Sequence, residues 1–594
     1  MNFFKIFFGS CLGAALGIIL FCLIGFGIVA SIASFSDNKS KTPLDKTSFL
    51  EIRADKVVPE RTDNVASNRF SFKSDKTIGL TDLLACIRRA GEDPKIKGLL
   101  YRSTYSSMGA ATATALHESL IAFKKTGKPI YAYSDVFSEG SYYIASAADK
   151  IMLNPNGIVE MKGYGALIPF FKDFLDKVGI KFNIYYAGQF KSATESFRLN
   201  KMSAQNREQT KEYLEDLFKI HLEGISSSRN IPVEQLRKIT NEYLLKSPED
   251  ALHYKLVDTL GYIDDLYQLL QRDLNTGKTE KPAIVTVSRY FETPGIKPLV
   301  TSTSDKIAVV YAEGEIVDGE GSYGNIGSSK YTRILRKLRL DEKVKAVVLR
   351  VNSPGGSSLA SDNILHEVDL IKKAGKPVVV SMGDYAASGG YYIACHADSI
   401  FSQNNTITGS IGVFFMIPNV STLLNDKLGI HFDTVTTGRF ATAFTTVLPW
   451  SSEEGVIAQQ ETDRIYDRFL TVVSEGRKQS KEDIHKIAQG RVWTGVRAKN
   501  NGLVDQIGSL PDAISCAARM SKMATFKTSE YPIPKEPLIK WIEEFTNPDG
   551  NNNEDIAMKK YLKSWYPIMS YLKNMDKDYY KPLMRMPFTF STNN

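Results

Sequence analysis

Two segments of this chain read as copies of one catalytic motif, and only the later copy contains the serine. Residues 383–394 run Gly-Asp-Tyr-Ala-Ala-Ser-Gly-Gly-Tyr-Tyr-Ile-Ala, with Ser388 among small residues. Residues 134–145 end in the same Tyr-Tyr-Ile-Ala, displaced by 249 positions, and have Glu139 in place of the serine. A serine that opens a helical segment could act as a nucleophile, because the positive end of the helix dipole stabilises an alkoxide or an acyl oxyanion. Taken alone, a serine in that place is more often a helix cap.

A second pair of segments distributes a lysine in the opposite way. Residues 188–193 read Gly-Gln-Phe-Lys-Ser-Ala and residues 438–443 read Gly-Arg-Phe-Ala-Thr-Ala, so Lys191 of the early copy corresponds to Ala441 of the late copy. Each copy has therefore lost the residue that the other kept. This pattern predicts one Ser–Lys catalytic pair, assembled across a duplicated fold from Ser388 and Lys191.

A lysine can accept a proton from serine only as a neutral amine. The pKa of an exposed lysine is about 10.4, so burial or a neighbouring cation must lower the pKa of Lys191. Phe190 and Phe197 offer partly apolar surroundings, whereas Glu195 would oppose the shift if it pointed inward.

A glycine-rich turn in the late copy could supply an oxyanion hole. Residues 350–357 read Arg-Val-Asn-Ser-Pro-Gly-Gly-Ser after a predicted strand. Paired glycines let a backbone N–H point at an incoming oxygen without obstruction by a side chain. The early copy, residues 102–109, has lost the Pro-Gly-Gly together with the serine, and a simple tight turn would not predict that joint loss.

Other chemistries find little support in the sequence. His396 lies two helical turns after Ser388, roughly 12 Å along a helix axis, so we expect it to be structural. There is no His-Glu-x-x-His zinc motif, no dinucleotide-binding glycine motif and no phosphate-binding loop. The sequence around Ser388 also differs from the Gly-x-Ser-x-Gly elbow of α/β-hydrolases.

The repeat extends through most of the chain and predicts an α/β fold. Lys-Val-Gly-Ile at residues 177–180, for example, matches Lys-Leu-Gly-Ile at residues 427–430. In the late copy, apolar strands alternate with helical patterns, which indicates parallel βαβ units buried on both faces. The predicted strands are 307–311, 346–351 and 377–381, and the predicted helix is 360–374.

The chain divides into five predicted parts. Residues 6–36 contain no charged residue, a run longer than the roughly 20 residues that a spanning helix needs, so we expect an uncleaved membrane anchor. The parts are the anchor (1–40), a repeat carrying the lysine (41–290), a linker (291–305), a repeat carrying the serine (306–530) and a C-terminal tail (531–594).

Charge and cysteine content argue against nucleic-acid binding, a disulfide scaffold and a zinc site. The net charge of +8 is spread along the chain without a dense basic block, so we expect no nucleic-acid partner. The five cysteines form no Cys-x-x-Cys pair, which argues against a disulfide scaffold and against a zinc site.

These motifs together resemble the signal peptide peptidase A family, in its long, duplicated, membrane-anchored bacterial form. The resemblance rests on Ser-Pro-Gly-Gly at 353–356, the serine motif at 386–394, Thr-Gly-Ser-Ile-Gly at 408–412 and the lysine motif at 188–193. It implies two tandem ClpP/crotonase-like domains, built from β-β-α spiral repeats, behind an N-terminal transmembrane helix.

The resemblance also implies roles for five residues. Ser388 would be the nucleophile, Lys191 the general base and Ser410 the residue that orients the lysine amine. Gly355 and Gly389 would supply the oxyanion N–H groups. No cofactor and no metal are implied.

A family member would be a homotetramer with active sites facing an interior groove. It would be a single-pass protein of the bacterial cytoplasmic (inner) membrane, with its catalytic body on the periplasmic side. There it would degrade cleaved signal peptides and other apolar peptides. Two alternatives stay open from the residues: a catalytically silent, membrane-anchored scaffold of the same fold, and a crotonase-like acyl-CoA enzyme.

Overall fold

The computed structural model describes most of both repeats. The described residues are 17, 43–55, 57–66, 74–277, 281–294, 304–322, 324–533 and 583–585. The anchor expected in residues 1–40 lies outside them, except for residue 17, and so does most of the tail expected in residues 531–594. No helix in this described part of the chain is both long enough and apolar enough to cross a membrane.

The first half of the chain alternates strands and helices, as the βαβ pattern predicts. Its strands are β1 (Ser48–Ile52), β2 (Asp63–Ala66), β3 (Ser74–Thr77), β4 (Ile96–Arg102), β5 (Ile130–Phe137), β6 (Lys150–Val159), β7 (Lys181–Ala187), β8 (Thr259–Leu260) and β9 (Ile284–Thr286). Its helices are α1 (Leu80–Glu92), α2 (Ala110–Lys124), α3 (Glu139–Ala145), α4 (Lys172–Val178), α5 (Glu195–Arg198), α6 (Ala204–Arg229), α7 (Val233–Asn241), α8 (Pro248–His253), α9 (Ile263–Leu274) and α10 (Val287–Phe291). Six strands form a parallel sheet in the order β8-β6-β5-β4-β1-β9.

The second half repeats this plan. Its strands are β10 (Lys306–Glu313), β11 (Glu315–Val317), β12 (Asn325–Gly327), β13 (Val344–Ser353), β14 (Gly355–Ser357), β15 (Val378–Ala387), β16 (Ser399–Ser402), β17 (Ile407–Gly409), β18 (Val413–Asn419), β19 (Val492–Thr494), β20 (Gln506–Ile507), β21 (Lys527–Tyr531) and β22 (Leu583–Arg585). Its helices are α11 (Ser328–Leu340), α12 (Ser358–Lys373), α13 (Gly389–Tyr392), α14 (Ser452–Arg477), α15 (Lys481–Ile487), α16 (Gly495–Asn500) and α17 (Leu510–Met520). The main sheet has the order β19-β17-β15-β13-β10-β21, with β16 paired to β15 and β20 paired to β16.

The strands predicted from the sequence lie at the centre of this second sheet. Residues 307–311 lie in β10, 346–351 lie in β13, and all but the first of residues 377–381 lie in β15; the predicted helix 360–374 lies almost entirely in α12. Val347 and Val348 are adjacent in β13 and point to opposite faces, yet both are fully buried. Helices therefore cover both faces of the sheet, as a parallel sheet requires.

The two halves of the chain interlock around the site. β7 of the first half pairs antiparallel with β18 of the second half along its whole length. The long helix α6 also reaches the second half, where Asp216 accepts hydrogen bonds from Arg497 and Thr494. Because β7 leads directly to the lysine motif, this cross-pairing carries Lys191 of the first repeat into the second.

Candidate active site

The backbone at Ser388 is held in a sparsely populated conformation. β15 ends at Ala387, and Ser388 follows with φ 56° and ψ −118°, before the short helix α13. Its N–H donates to the carbonyl of Gly409 at 2.7 Å, which fixes the turn. Such a conformation in a residue other than glycine costs of order 1–3 kcal/mol and clusters at functional sites. The Ser388 side chain makes no capping hydrogen bond to α13, so the helix-cap interpretation is wrong.

Lys191 lies directly against this serine. It stands between the end of β7 and a short 3-10 turn, Ser192–Thr194, and only 1% of its surface is exposed. Its Nζ lies 2.8 Å from Ser388 Oγ, within hydrogen-bond distance. Burial lowers the pKa of Lys191 well below its usual value of 10.5. A buried amine of this kind is neutral at a lower pH than an exposed lysine, which is what a general base requires.

The carboxylate that could have opposed this shift points elsewhere. Glu195 is buried, but its oxygens accept hydrogen bonds from the backbone and hydroxyl of Ser203 and from Asn206 Nδ2 at 2.9 Å. Glu195 is thus satisfied by the start of α6, and it makes no ion pair with Lys191.

Ser410 gives the lysine amine two further partners. Its carbonyl oxygen and its hydroxyl Oγ each accept from Lys191 Nζ at 3.1 Å. Ser410 has φ 52° and is fully buried, and its N–H donates to the carbonyl of Arg491 at 2.7 Å. The turn after β17 therefore presents both oxygens of one residue to the amine.

The backbones of the two expected oxyanion glycines come together beside Ser388. Gly355 has φ 103°, and a Cβ on it would lie 2.8 Å from the N of Gly389. A Cβ on Gly389 would lie 3.2 Å from the N of Gly356. The Gly355 N–H donates to Ser353 Oγ at 3.2 Å in this structure. The approach of these backbones leaves no room for side chains, which explains the glycine-rich sequence.

The first repeat has Glu139 at the position that corresponds to Ser388, and this residue makes different contacts. Glu139 opens α3, and its carboxylate accepts from the N–H groups of Lys162 and Gly163 at 3.1–3.2 Å. Burial raises the pKa of Glu139 to about 7. The carboxylate therefore closes a loop of the first repeat where the second repeat has its serine.

A buried ionic cluster supports the strands that lead to Ser388, and the sequence analysis did not identify it. Arg350 donates to Glu60 through Nε at 2.8 Å and Nη2 at 3.0 Å, and both side chains are buried. Asp384, four residues before Ser388, accepts from the N–H and hydroxyl of Thr112 in α2. Arg350 and Asp384 lie inside the repeat motifs, but nothing in the sequence near Glu60 indicates that it lies beside them.

His396, the other candidate base in the sequence, has a structural role. His396 Nδ1 bonds Asp369 at 2.8 Å and its Nε2 bonds the carbonyl of Val472, so it is a structural histidine as expected. Within the described residues, no cluster of three or more histidine, cysteine or acidic side chains could hold a metal ion.

Comparisons with known proteins agree with this organisation. The model of peptidase family S49 matches residues 122–277 and 371–524, one stretch in each repeat. A protein named Protease 4 from Haemophilus influenzae is 37% identical over 509 residues, which cover 83% of this chain and 82% of that protein. A Protease 4 from Salmonella typhi is 38% identical over 471 residues, which cover 77% and 74%.

A similarity to a solved structure is much weaker. A ClpP1 mutant from Listeria monocytogenes aligns with 35% of this chain and 94% of its own, at 21% sequence identity and a TM-score of 0.24. A TM-score that low does not define a shared fold.

Proposed function

The chain belongs to peptidase family S49 and is a serine protease, and we propose that it cuts peptides with a dyad of Ser388 as nucleophile and Lys191 as general base. The observation that carries the proposal is the 2.8 Å contact between Lys191 Nζ and Ser388 Oγ, both buried. The scaffold and acyl-CoA alternatives give no reason for burying a lysine amine against a strained serine.

Acylation follows from the contacts of the amine. A neutral amine has two hydrogens and one lone pair. Donation of the hydrogens to the carbonyl and hydroxyl of Ser410 would leave the lone pair directed at the Ser388 hydroxyl. Lys191 then takes the hydroxyl proton while Ser388 Oγ attacks the peptide carbonyl carbon. The ammonium returns this proton to the leaving amine as the C–N bond breaks, which leaves an ester on Ser388.

Deacylation uses the same base. A water molecule gives a proton to Lys191 and attacks the ester carbonyl, and the proton then returns to Ser388 Oγ as the acid product leaves. In both steps negative charge develops on the former carbonyl oxygen. Backbone N–H groups at the Gly355 and Gly389 turns are the proposed donors to it, because the backbones of these two turns approach each other beside the serine.

Signal peptides released from precursor proteins are the proposed substrates, together with other apolar peptides. Such peptides are short, apolar and held at membranes, and an extended peptide can add as a strand to a sheet edge. The uncharged run of residues 6–36 supports a single-pass anchor in the bacterial inner membrane, with the catalytic body on the outer side. Each repeat is proposed to have the ClpP/crotonase-like fold.

Exposed apolar side chains support the proposed homotetramer. Five large ones lie within residues 428–440 of the second repeat, and each is at least 43% exposed: Leu428, Ile430, Phe432, Val435 and Phe440. Soluble monomers rarely expose so many apolar groups in one stretch, whereas subunit interfaces bury them. No nucleic-acid partner is proposed.

Full-length protein in detergent, incubated with a synthetic apolar signal peptide, tests the substrate class. The matched control peptide has two lysines in the apolar segment. Mass spectrometry should detect cleavage of the apolar peptide and much slower cleavage of the charged one, because an unpaired charge resists burial. Equal cleavage of both peptides would contradict the proposed preference.

A further inference from the structure

The side-chain amide of Gln209 lies against the turn that carries Lys191. Gln209 belongs to the long helix α6 of the first repeat and is only 4% exposed. Its Nε2 donates to the carbonyl of Phe190 at 3.0 Å and to the hydroxyl of Ser192 at 3.2 Å. The amide nitrogen therefore holds both the residue before Lys191 and the residue after it.

The oxygen of the same amide reaches the second repeat. Gln209 Oε1 accepts from the N–H of Val492 at 3.2 Å. Val492 opens β19, which pairs with β17 so that Val492 lies opposite Gly409, the residue before Ser410. One buried side chain thus joins the lysine turn of the first repeat to the strand beside Ser410 in the second.

The segment 489–492 supports the lysine turn directly as well. The carbonyl of Gln489 accepts from the N–H of Phe190 at 2.8 Å. A Cβ on Gly490 would lie 2.7 Å from the backbone N of Lys191, so the two backbones are in close contact. The backbone of the general base is therefore seated on this segment from one side and held by Gln209 from the other.

The same segment fixes the other two residues of the site. The carbonyl of Arg491 accepts from the N–H of Ser410 at 2.7 Å, and the carbonyl of Gly409 on the paired strand accepts from the N–H of Ser388 at 2.7 Å. The positions of the nucleophile and of the amine's acceptor are thus set by β19 and its partner. Gln209 is the side chain that ties the lysine turn to this support.

The second repeat lacks this glutamine, as it lacks the lysine. Helices α6 and α14 both have 26 residues and begin after a capping serine, Ser203 and Ser451. Six residues after these caps stand Gln209 in the first repeat and Ile457 in the second. The copy that has Ala441 in place of the lysine has therefore not kept the amide. A role in packing the helix would not predict that joint loss.

We propose that Gln209 is a positioning residue for the general base: its amide fastens the turn around Lys191 to the segment 489–492 and so keeps the lysine amine between Ser388 and Ser410. Gln209 contacts no reacting atom and acts through Lys191. The inference rests on the proposed Ser–Lys function and adds to it a residue that sets the alignment of the base.

The charged groups on the elements around the lysine turn are engaged with other partners. Arg491 pairs with Glu212 at 2.7 Å and with Glu208 at 3.0 Å, and Arg198 pairs with Glu195 at 3.7 Å. The imidazole of His485 contacts the side-chain amide of Gln489. Burial is the cause that lowers the pKa of Lys191. A looser turn that admits water should therefore raise this pKa toward its usual value.

Replacement of the amide by a thioether of similar length tests the proposal in full-length protein in detergent. Gln209→Met removes the polar contacts to both repeats, so we expect kcat on a fluorogenic apolar peptide to fall about tenfold with little change in KM. The midpoint of the pH profile should move to higher pH. Gln479→Met is the matched control, because its Nε2 donates to the carbonyl of Asn501 at 3.5 Å on the second repeat. It should keep the wild-type kcat and midpoint.

Gln209→Glu is the second variant. It keeps an acceptor for the N–H of Val492 but has no N–H to donate to the carbonyl of Phe190. Its carboxylate adds a negative charge beside the lysine turn, which stabilises the ammonium form of Lys191. The midpoint of its pH profile should therefore lie above that of Gln209→Met.

A measurement without turnover separates this test from that of the proteolytic mechanism. In a Ser388→Ala background, a trace of acetic anhydride acetylates each amine in its neutral form, and mass spectrometry of the peptide that contains Lys191 gives the pH midpoint of its labelling. Gln209→Met should move this midpoint to higher pH. Gln479→Met should leave it unchanged.

Each outcome supports or overturns the proposal. If the wild type hydrolyses no peptide, the proposed function fails, and the labelling midpoint of Lys191 alone decides whether Gln209 positions the amine. If Gln209→Met lowers kcat without moving either midpoint, or affects kcat no more than Gln479→Met does, the inference is overturned. If Gln209→Met does not fold, Gln209→Glu decides, and an unshifted midpoint in that variant counts against the proposal.

Discussion

Lys191 of the first repeat and Ser388 of the second meet within one polypeptide, with 2.8 Å between Nζ and Oγ. The two residues are far apart in sequence, and the pairing of β7 with β18 brings them together. Neither repeat contains both groups, because the first has Glu139 at the serine position and the second has Ala441 at the lysine position. The duplicated chain therefore forms one composite site instead of two independent ones.

The buried lysine predicts an unusual pH profile. Lys191 is a base only when deprotonated, so kcat/KM should rise with pH through the pKa of Lys191 and level off above it. Because burial lowers this pKa well below 10.5, the plateau should be reached well below pH 10. The profile is measured with a peptide that has no titrating group in this range. A rate that still climbs steeply beyond pH 10 would contradict a buried neutral base.

Loss of the Ser410 hydroxyl should weaken the positioning of the lysine. Ser410→Ala removes one of the two acceptors at 3.1 Å from Nζ, and a net hydrogen bond is worth about 1 kcal/mol, so kcat should fall about fivefold to tenfold. KM should change little. The midpoint of the pH profile should move to lower pH, because the hydroxyl also stabilises the ammonium form.

Ser146→Ala is the matched control for Ser410→Ala. Ser146 is also fully buried and donates to the carbonyl of Tyr143 at 2.7 Å, but it lies in the first repeat. Stability alone should change in this variant. An equal loss of kcat in both variants, with no shift of either pH profile, would mean that Ser410 acts only on the fold.

A methyl group at Gly355 should block the proposed oxyanion turn. Gly355→Ala places a Cβ 2.8 Å from the N of Gly389 at a φ of 103°. Loss of one oxyanion donor typically costs about 100-fold to 1,000-fold in kcat, and we expect a loss in that range. Steady-state kinetics on protein of verified secondary structure measure it.

Gly375→Ala is the matched control for Gly355→Ala, because it introduces backbone strain without a new contact at the site. Gly375 has φ 78°, but a Cβ there meets nothing within 4 Å. The control should lose about 1–2 kcal/mol of stability and keep its kcat. Near-normal turnover by Gly355→Ala would remove this turn from the proposed oxyanion hole.

The buried pair of Arg350 and Glu60 should be strongly coupled in stability. Removal of one partner leaves an unpaired buried charge, so Arg350→Met should cost about 3–5 kcal/mol in the free energy of unfolding. The double variant Arg350→Met/Glu60→Leu should cost less than the sum of the single changes. Urea unfolding of the four proteins gives the coupling energy.

An exposed ion pair is the control for the buried pair of Arg350 and Glu60. Arg464 and Glu461 are 68% and 45% exposed, and Arg464→Met should cost less than about 1 kcal/mol. Additive effects of Arg350→Met and Glu60→Leu would show that the cluster does not tie the N-terminal segment to the strands leading to Ser388.

The duplication made the contact between Ser388 and Lys191 and the sheet strands predictable from sequence. Two copies in near-constant register expose what each copy lost, and this singled out Ser388 and Lys191 from many serines and lysines. The apolar β-branched runs of β10 and β13 predicted the buried sheet for the same reason that they form it. The sequence could not say whether the dyad forms within one chain, because this depends on the cross-pairing of β7 and β18.

The residues that were not predicted from the sequence have no second copy with which they can be compared. Glu60 precedes the first repeat motif and has no counterpart to compare, so its pairing with Arg350 becomes visible only in three dimensions. β22 is three residues long, too short for a hydrophobic period, and it acquires meaning only from the two strands that flank it. The helical segment that Ser388 opens is short, because α13 ends at Tyr392.

The most direct test of the dyad compares kcat/KM of wild type, Ser388→Ala and Lys191→Ala on one fluorogenic apolar peptide at neutral pH. Lys486→Ala, an exposed lysine on α15, serves as control. Loss of a general base typically lowers kcat/KM by about 100-fold to 10,000-fold, and we expect Lys191→Ala to lose at least about 100-fold. Ser388→Ala should lose nearly all turnover. Lys486→Ala should keep the wild-type kcat/KM. A correctly folded Lys191→Ala variant with near-wild-type kcat/KM would contradict the assignment of the base and, with it, the composite site.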